Sequence, residues 1–356
     1  MKKIKLFFIW TIIPLVISFL CLLFIDRVYL SSSKDFKISK VEDNNKTLKR
    51  NVSIDIPEEA KNIQVSYSGE YISYYYENKI VIVDAKDKKE KSVQFNNGEI
   101  NYTSWLPDRN ILFIGEKSEE GGGHYLTFYS YDSERGERFQ LEDNNGKKTI
   151  INLPSGSYNI DKMTLSTATN TIYVKLKNAA GRNRMYRINT MAELQRIKNI
   201  GNNIGEIAVM NSEDKLVYEN KNNNNIYIEG NENNISGENG YAYSILKIDD
   251  GDRIYLGRTN LNASEKKIDQ IVYWGLGEKT LNKRELVLNN SVEAQNIKIG
   301  TNRHVFIVEN EDNKLKEVSS KQEFKYTGKF IDIFNNGIVS RSGNKILIKT
   351  IDFDKN

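Results

Sequence analysis

The chain has little of the chemistry on which most enzymes and metal sites depend. Its 356 residues include one cysteine, two histidines and four prolines. A single cysteine excludes an intrachain disulfide, so burial and backbone pairing must hold the fold together. The sequence contains no Gly-x-Ser-x-Gly segment, which argues against a serine hydrolase of the α/β class. Two histidines in separate segments, His124 and His304, do not suggest converging ligands, so we predict no metal site and no cofactor.

Two acidic segments and the charge balance argue against further ligand classes. Asp249 to Asp252 and Glu309 to Asp312 lack the twelve-residue calcium-loop pattern, so we predict that both are hairpin turns. The formal net charge is +4, and most of it lies within residues 1–30. The remaining chain is nearly neutral and shows no basic stripe, so we predict that it does not bind nucleic acid.

Residues 6–25 form a run of twenty uncharged, mostly apolar positions. As a helix this run would span a hydrocarbon layer of about 30 Å. Lys2, Lys3 and Lys5 precede the run and should stay in the cytoplasm. We therefore predict that residues 1–30 are a cytoplasmic stub and a single-pass signal anchor in the cell membrane. The alternative is a cleaved signal peptide, whose apolar region usually has about 7–15 residues.

Residues 31–50 are polar and without pattern, so we interpret them as a tether that lifts the following domain off the membrane. The domain itself is expected outside the cell. The abundance of asparagine, lysine and isoleucine resembles that of proteins from AT-rich bacterial genomes, so we place the domain in a bacterial cell envelope.

A strand–turn–strand unit recurs from residue 51 to residue 356. The clearest copies are Ile63 to Tyr76 and Ile100 to Phe113, in which apolar residues alternate around a polar turn. Later copies have their turns at Thr167–Thr171, Ser212–Lys215, Asp249–Arg253, Gly300–His304 and Phe334–Gly337. The mean spacing is about 44 residues, which is typical of four-stranded propeller blades.

We therefore predict an all-β fold, a seven-bladed β-propeller. Six or eight blades are the alternatives, because the strand pattern of the unit at 204–236 is weak. Residues 190–199 leave open a short helix, since Thr190 and Glu193 occupy capping-box positions. The seventh unit stops after its third strand, and a spare strand at 51–56 precedes the first unit. Pairing 51–56 into the last blade would close the ring and remove two exposed edges.

Two of the turns resemble those of a known family. Ser66 to Ile72 and Ser104 to Ile111 are similar to the Trp-Ser-Pro-Asp-Gly turn of the WD-like repeats in TolB and in the propeller of dipeptidyl peptidase IV relatives. This resemblance implies an extracytoplasmic propeller that contacts proteins or gates a peptidase. The chain resembles these peptidases only through the propeller, since it lacks the Gly-x-Ser-x-Gly segment of their hydrolase domain.

The leading hypothesis is a non-catalytic binding or scaffold module for a partner protein, a peptide or an envelope polymer, with no catalytic residue assigned. The alternative is a propeller lyase or glycoside-acting enzyme, which needs two acids about 5–10 Å apart at the central channel. Asp161, Glu206 and Asp332 lie in or at the start of first strands of their units and are the candidates. Trp274 is a candidate aromatic platform, with core packing as its alternative.

Overall fold

This computed structural model describes residues 51–95, 98–231, 234–276, 283–351 and 353, together with residues 18, 19 and 22. The chain divides into two units, residues 1–45 and 46–356. Most of the predicted anchor and all of the predicted tether lie outside the described residues. Ser18, Phe19 and Leu22 are helical and exposed. No helix within the described ranges is long and apolar enough to cross a membrane, so the anchor stays a prediction.

The second unit is built from antiparallel β-sheets that follow one another along the chain. A single strand comes first, β1 (Val52–Asp55). Blade 1 consists of β2 (Lys61–Val65), β3 (Tyr71–Tyr76), β4 (Lys79–Asp84) and β5 (Glu90–Val93). Blade 2 consists of β6 (Gly98–Trp105), β7 (Ile111–Glu120), β8 (Gly123–Asp132), β9 (Glu137–Gln140) and β10 (Ile150–Leu153). Blade 3 consists of β11 (Asn159–Leu165), β12 (Ile172–Lys177), β13 (Asn183–Ile188) and β14 (Leu194–Ile197).

The remaining blades repeat the same order. Blade 4 consists of β15 (Ile204–Met210), β16 (Lys215–Asn220), β17 (Asn225–Ile228) and β18 (Asn234–Ile235). Blade 5 consists of β19 (Tyr241–Ile248), β20 (Arg253–Asn260), β21 (Ile268–Gly275) and β22 (Arg284–Val292). After a short 3₁₀ helix (Ala294–Asn296), blade 6 consists of β23 (Ile297–Ile299), β24 (Val305–Glu309), β25 (Lys314–Glu317) and β26 (Glu323–Lys325). Blade 7 contains β27 (Lys329–Phe334), β28 (Gly337–Ser342) and β29 (Lys345–Thr350).

The predicted all-β fold with seven blades is confirmed. The segment 190–199 contains the strand β14, which pairs with β13, so the alternative of a short helix is wrong there. The reason is local: the side chain of Asn189 accepts hydrogen bonds from the backbone amides of Met191 and Glu193, which forms a turn between the two strands.

Blade 7 joins the two ends of the ring. Its sheet has the order β1, β29, β28, β27, so the outermost strand comes from the start of the domain. Val52 lies opposite Ile348, and Asp55 lies opposite Lys345. The amide of Ile56 also donates to the carbonyl oxygen of Asn344 at 2.8 Å. Every backbone group that this pairing satisfies would otherwise belong to an exposed sheet edge.

The core lies between neighbouring blades. Because side chains alternate across a strand, each blade buries one apolar face against the blade before it and one against the blade after it. Phe128 of blade 2, for example, belongs to the same buried cluster as Val174 and Leu176 of blade 3. Tyr173, Tyr255, Phe128 and Phe306 are among the largest fully buried side chains. Apolar residues are thus divided among several small clusters, which suits a chain in which 39% of the residues are hydrophobic.

Candidate binding cavity at the channel mouth

The first strand of each blade lies at the centre of the ring. β6, β11, β15 and β19 contact one another in this order, and β2 contacts both β6 and β27. Each first strand ends at the turn that leads to the second strand of its blade, and we call these seven turns the inner turns. Since all first strands start at the same face of the ring, the inner turns gather at the opposite face.

Side chains join neighbouring inner turns around the ring. At six of the seven junctions between blades the contacts are polar. One contact from each of these junctions is Ser68 Oγ to Asn110 Oδ1 at 2.8 Å, Arg109 Nη2 to Asn170 Oδ1 at 2.6 Å, Thr167 N to Asn211 Oδ1 at 2.9 Å, Asn211 N to Asp252 Oδ1 at 2.5 Å, Arg303 Nε to Asp249 Oδ2 at 3.1 Å, and Thr301 Oγ1 to Asn335 Oδ1 at 2.6 Å. Between blades 7 and 1, the ring of Phe334 packs on Gly69. The inner turns therefore form a continuous rim.

A cavity of about 290 Å³ lies inside this rim, mainly among the first strands and inner turns of blades 2 to 5, with Thr301 of blade 6. Its apolar wall includes Trp105, Leu106, Met163, Leu165, Leu246 and Ile248. Its charged lining comprises Lys162, Lys247, Asp249 and Asp250. An apolar, concave site with a few convergent polar groups is the usual form of a ligand pocket. Because it combines an apolar wall with charged groups from several blades, we take this cavity as the candidate site.

Lys247 is the distinctive charge of this cavity. Its Nζ donates a hydrogen bond to the carbonyl oxygen of Ile299 in blade 6 at 2.8 Å. Among the described residues, no carboxylate forms an ion pair with it. Burial lowers the pKa of Lys247 from its ordinary value, and the negative charges of Asp250, Asp249 and Asp332 oppose this change. The ammonium group thus stands in a partly dry environment with hydrogen atoms left to donate.

Two of the other three charged groups in the cavity lining are paired. Lys162 forms an ion pair with Glu206 of the next blade. Asp249 is buried and accepts hydrogen bonds from the amides of Gly251 and Arg253, in addition to its contact with Arg303. Asp250 is exposed at the mouth. Lys247 and Asp250 are therefore the two charged lining groups without a partner of opposite charge in the part of the chain described.

The three predicted acids lie on first strands, at irregularities of strand register. Asp161 of blade 3 contacts Lys175 Nζ at 2.7 Å, and Asp332 of blade 7 contacts Lys298 Nζ at 3.0 Å. Glu206 of blade 4 contacts Lys162, the residue after Asp161. The fold therefore brings Asp161 and Glu206 to adjacent strands and leaves Asp332 in another blade. None of the three lines the cavity.

Trp274 lies in the core. Its side chain is 4% exposed and packs with Met210, Val217 and Ile226 of blade 4. The ammonium nitrogen of Lys283 lies 5.3 Å from the centre of its ring. These contacts use the faces of the indole that a sugar or a peptide would need.

Sequence reasoning did not identify Lys247 or Trp105 as part of a cavity. Trp105 does hold blades together, since its Nε1 donates to Ser73 Oγ of blade 1 at 3.0 Å, but it also lines the cavity. A signal for Lys247 was present: a lysine interrupts the apolar end of β19 just before an aspartate-rich turn. The cavity that Lys247 lines is formed together with residues of four other blades, and no local sequence pattern encodes that arrangement.

Within the described ranges, no group of three or more histidine, cysteine, aspartate or glutamate side chains is placed to hold a metal ion. The ionisable lining of the cavity consists of two lysines and two neighbouring aspartates, one of which is engaged by Arg303. This donor set suits hydrogen bonding and charge recognition of an organic ligand.

Comparison with known proteins identifies the fold. No protein-family model matches the sequence, and no curated protein is similar to it. Among solved structures, the chain is similar to an oligogalacturonate lyase in complex with manganese, with a TM-score of 0.54 and 10% identity over 85% of this chain and 91% of that one. The WD40 β-propeller domain of Doa1 gives a TM-score of 0.48 and 12% identity over 86% and 97%. At such low identity the similarity shows a β-propeller and nothing finer.

Proposed function

We propose that this protein is a membrane-anchored, extracytoplasmic β-propeller that binds a partner protein, a peptide or an envelope polymer without catalysing a reaction. The observation that carries the proposal is the cavity at the channel mouth, which combines an apolar wall with Lys247. Residues 6–25 support the anchor, and the turns at 66–72 and 104–111 support a relationship to the WD-like repeats of TolB.

The ion pairs of the predicted acids favour binding over catalysis. Glycoside cleavage needs one carboxyl group that delivers a proton and a second that attacks or activates water. Asp161 and Asp332 each place a carboxylate oxygen within 3.0 Å of a lysine nitrogen, and Glu206 is paired with Lys162. Groups held in this way stabilise strand register. They lie outside the cavity where a substrate would be held.

The binding function is tested by site-specific photocrosslinking of the full chain in the producing bacterium. A photoreactive residue replaces Asp250, which is exposed at the cavity mouth. The matched control replaces Glu120, which is exposed at the end of β7 on the opposite face. We expect a discrete crosslinked product from position 250 and none from position 120. No product at 250, or the same products from both positions, would contradict the proposal.

The anchor needs a separate test, because the propeller could bind a partner in either compartment. We expect the full chain to stay with the membrane fraction after alkaline extraction, and the variant lacking residues 6–25 to be released. We also expect external protease to digest the propeller in cells whose wall has been removed. Release of the full chain, or protection of the propeller from protease, would show that this part of the proposal is wrong.

A further inference from the structure

The cavity at the channel mouth carries a more specific assignment, which rests on the proposed binding function. We propose that it binds the C-terminal end of an apolar peptide, with the terminal carboxylate at Lys247 and the last two side chains against the apolar wall. The argument combines the charge of the cavity, its size and its wall.

The charge of the cavity points to an anion. Of the two lysines in the lining, Lys162 is engaged by Glu206, whereas Lys247 donates only to a neutral carbonyl oxygen. A lysine ammonium has three hydrogen atoms to donate, so two remain for a ligand. Hydrogen bonds between ionised partners are about twice as strong as those between neutral partners, and they gain strength where water is partly excluded. A single carboxylate matches this one uncommitted cation.

The size and the wall of the cavity limit what can carry the carboxylate. A volume of about 290 Å³ is near the lower end of the range for small-ligand sites, so two apolar side chains of moderate size can enter and a long polymer segment cannot. Met163, Leu165, Leu246 and Ile248 offer aliphatic contacts from blades 3 and 5, and Trp105 offers an aromatic face from blade 2. The chain leading to the carboxylate must therefore be apolar near its end.

Asp250 sets a further condition. It is exposed at the mouth, and its charge is the largest electrostatic influence on Lys247 after burial. A second negative charge on the ligand near its carboxylate would meet this aspartate, so we expect a singly charged peptide end to be preferred. Replacing Asp250 by asparagine removes the repulsion and should strengthen the binding of any anion held at Lys247.

The experiment measures peptide binding by the full chain in lipid nanodiscs, using calorimetry and intrinsic tryptophan fluorescence, to which Trp105 contributes. The probe is N-acetyl-Ala-Leu-Leu with a free carboxylate, and its C-terminal amide is the matched ligand without the charge. We expect the acid to bind roughly tenfold more tightly than the amide, the size of one charge-assisted contact. Lys247→Met should reduce this ratio to about one, and Lys247→Arg should retain part of it.

Two further variants serve as controls. Lys215→Met removes the same charge at the start of β16, outside the cavity, where Lys215 is paired with Glu213, and should leave the ratio unchanged. Asp250→Asn should raise the affinity for the acid severalfold and that for the amide little. The peptide amide should still bind to the apolar wall without needing Lys247. Its binding to Lys247→Met therefore shows whether that variant is folded.

Two results would overturn the assignment. Equal affinity of the unaltered protein for the acid and the amide would show that Lys247 does not bind the peptide carboxylate. Binding of butyrate as tightly as the peptide acid would show that the site serves small acids and not peptide ends. In either case a crosslink from position 250 would leave the general binding function standing, so the two proposals fail separately.

Discussion

The backbone amide of Asn211 donates a hydrogen bond of 2.5 Å to Oδ1 of Asp252, and this contact joins the inner turns of blades 4 and 5. The other oxygen of Asp252 accepts from the amide and the hydroxyl of Ser212. Asp252 is only 7% exposed. One carboxylate thus satisfies three donors from the neighbouring blade, two of which are backbone groups that a buried turn cannot leave unpaired.

Asp252→Ala should destabilise the propeller by about 2–4 kcal/mol, because it leaves buried donors without an acceptor. Asp252→Asn keeps one acceptor oxygen and tolerates the positive φ of 55° at this position, so its cost should be smaller. Urea denaturation of the full chain measures both. The neighbouring Asp250→Ala is the control and should change stability by less than about 0.5 kcal/mol. Equal stability of Asp252→Ala and Asp250→Ala would refute the role of the rim.

Gly69 and Gly146 form a matched pair for the contact between blades 7 and 1. Both have a positive φ, 76° and 74°. A Cβ on Gly69 would lie 2.4 Å from the ring of Phe334, whereas a Cβ on Gly146 would meet nothing within 4 Å. Gly146→Ala should therefore cost about 1–2 kcal/mol of dihedral strain. Gly69→Ala should cost at least about 1 kcal/mol more, since overpacking adds to the strain.

Thermal unfolding of both glycine variants gives the comparison directly. The expected order of melting temperatures is unaltered protein, then Gly146→Ala, then Gly69→Ala. If the two variants melted together, the packing of Phe334 on Gly69 would contribute nothing to ring closure. Restoration of Gly69→Ala by Phe334→Leu would identify the aromatic ring as the source of the extra cost.

Substitution of Ile54 tests how much β1, the strand that closes the ring, contributes to stability. It is 2% exposed and lies opposite Ile346 in the pairing of β1 with β29. Ile54→Ala should cost about 2–5 kcal/mol through lost burial and the cavity left behind. Asp55→Ala, at the next position on the exposed face, should be nearly neutral. A loss below about 1 kcal/mol for Ile54→Ala would show that β1 contributes little to the stability of the ring.

The raised pKa values of two tyrosines, Tyr74 and Tyr129, predict that the protein loses stability at high pH. Burial, followed by the charge of Glu90, raises the pKa of Tyr74 to about 12. Burial and the hydrogen bond to Glu116 raise the pKa of Tyr129 to about 12. Unfolding exposes both phenols to water, where they ionise near pH 10. Their contribution to stability is therefore complete below about pH 10 and is lost as the pH rises towards 12.

Denaturation midpoints between neutral pH and pH 12 test this expectation, with ultraviolet absorbance following tyrosinate formation. Tyr129→Phe should be less stable than the unaltered protein at neutral pH and should lose less stability between pH 10 and 12. A parallel loss in both proteins would show that Tyr129 ionises alike in the folded and the unfolded chain.

The repeat, and with it the seven-bladed fold, could be predicted because it depends on local alternation and on turn residues at regular spacing. Counting strands left one spare strand at the start, and β1 occupies that place in blade 7. The split outer edge of blade 2, where β9 and β10 both pair with β8, was not predictable, since it depends on which part of β8 each segment reaches.

The candidate site was harder to predict for the same physical reason. The sequence identifies Asp161, Glu206 and Asp332 as polar residues of inner strands, but the lysine that engages each of them comes from another strand or another blade. The role of Lys247 likewise follows from what surrounds it. A cavity shared by several blades exists only after the register of each first strand is set. Its residues therefore share no feature of composition or spacing by which the sequence alone could identify them.

The pairing of β1 with β29 also dictates an order of events in folding. The contact between Val52 and Ile348 is among the most distant in sequence that the domain makes, and blade 7 has no outer strand until it forms. During synthesis β1 stays unpaired until β29 has been made, after all the other blades. Each of those blades finds its strands locally, whereas the ring as a whole is completed last and at the largest entropic cost of loop closure. A chain interrupted near residue 340 would therefore carry several finished blades and still lack a closed ring.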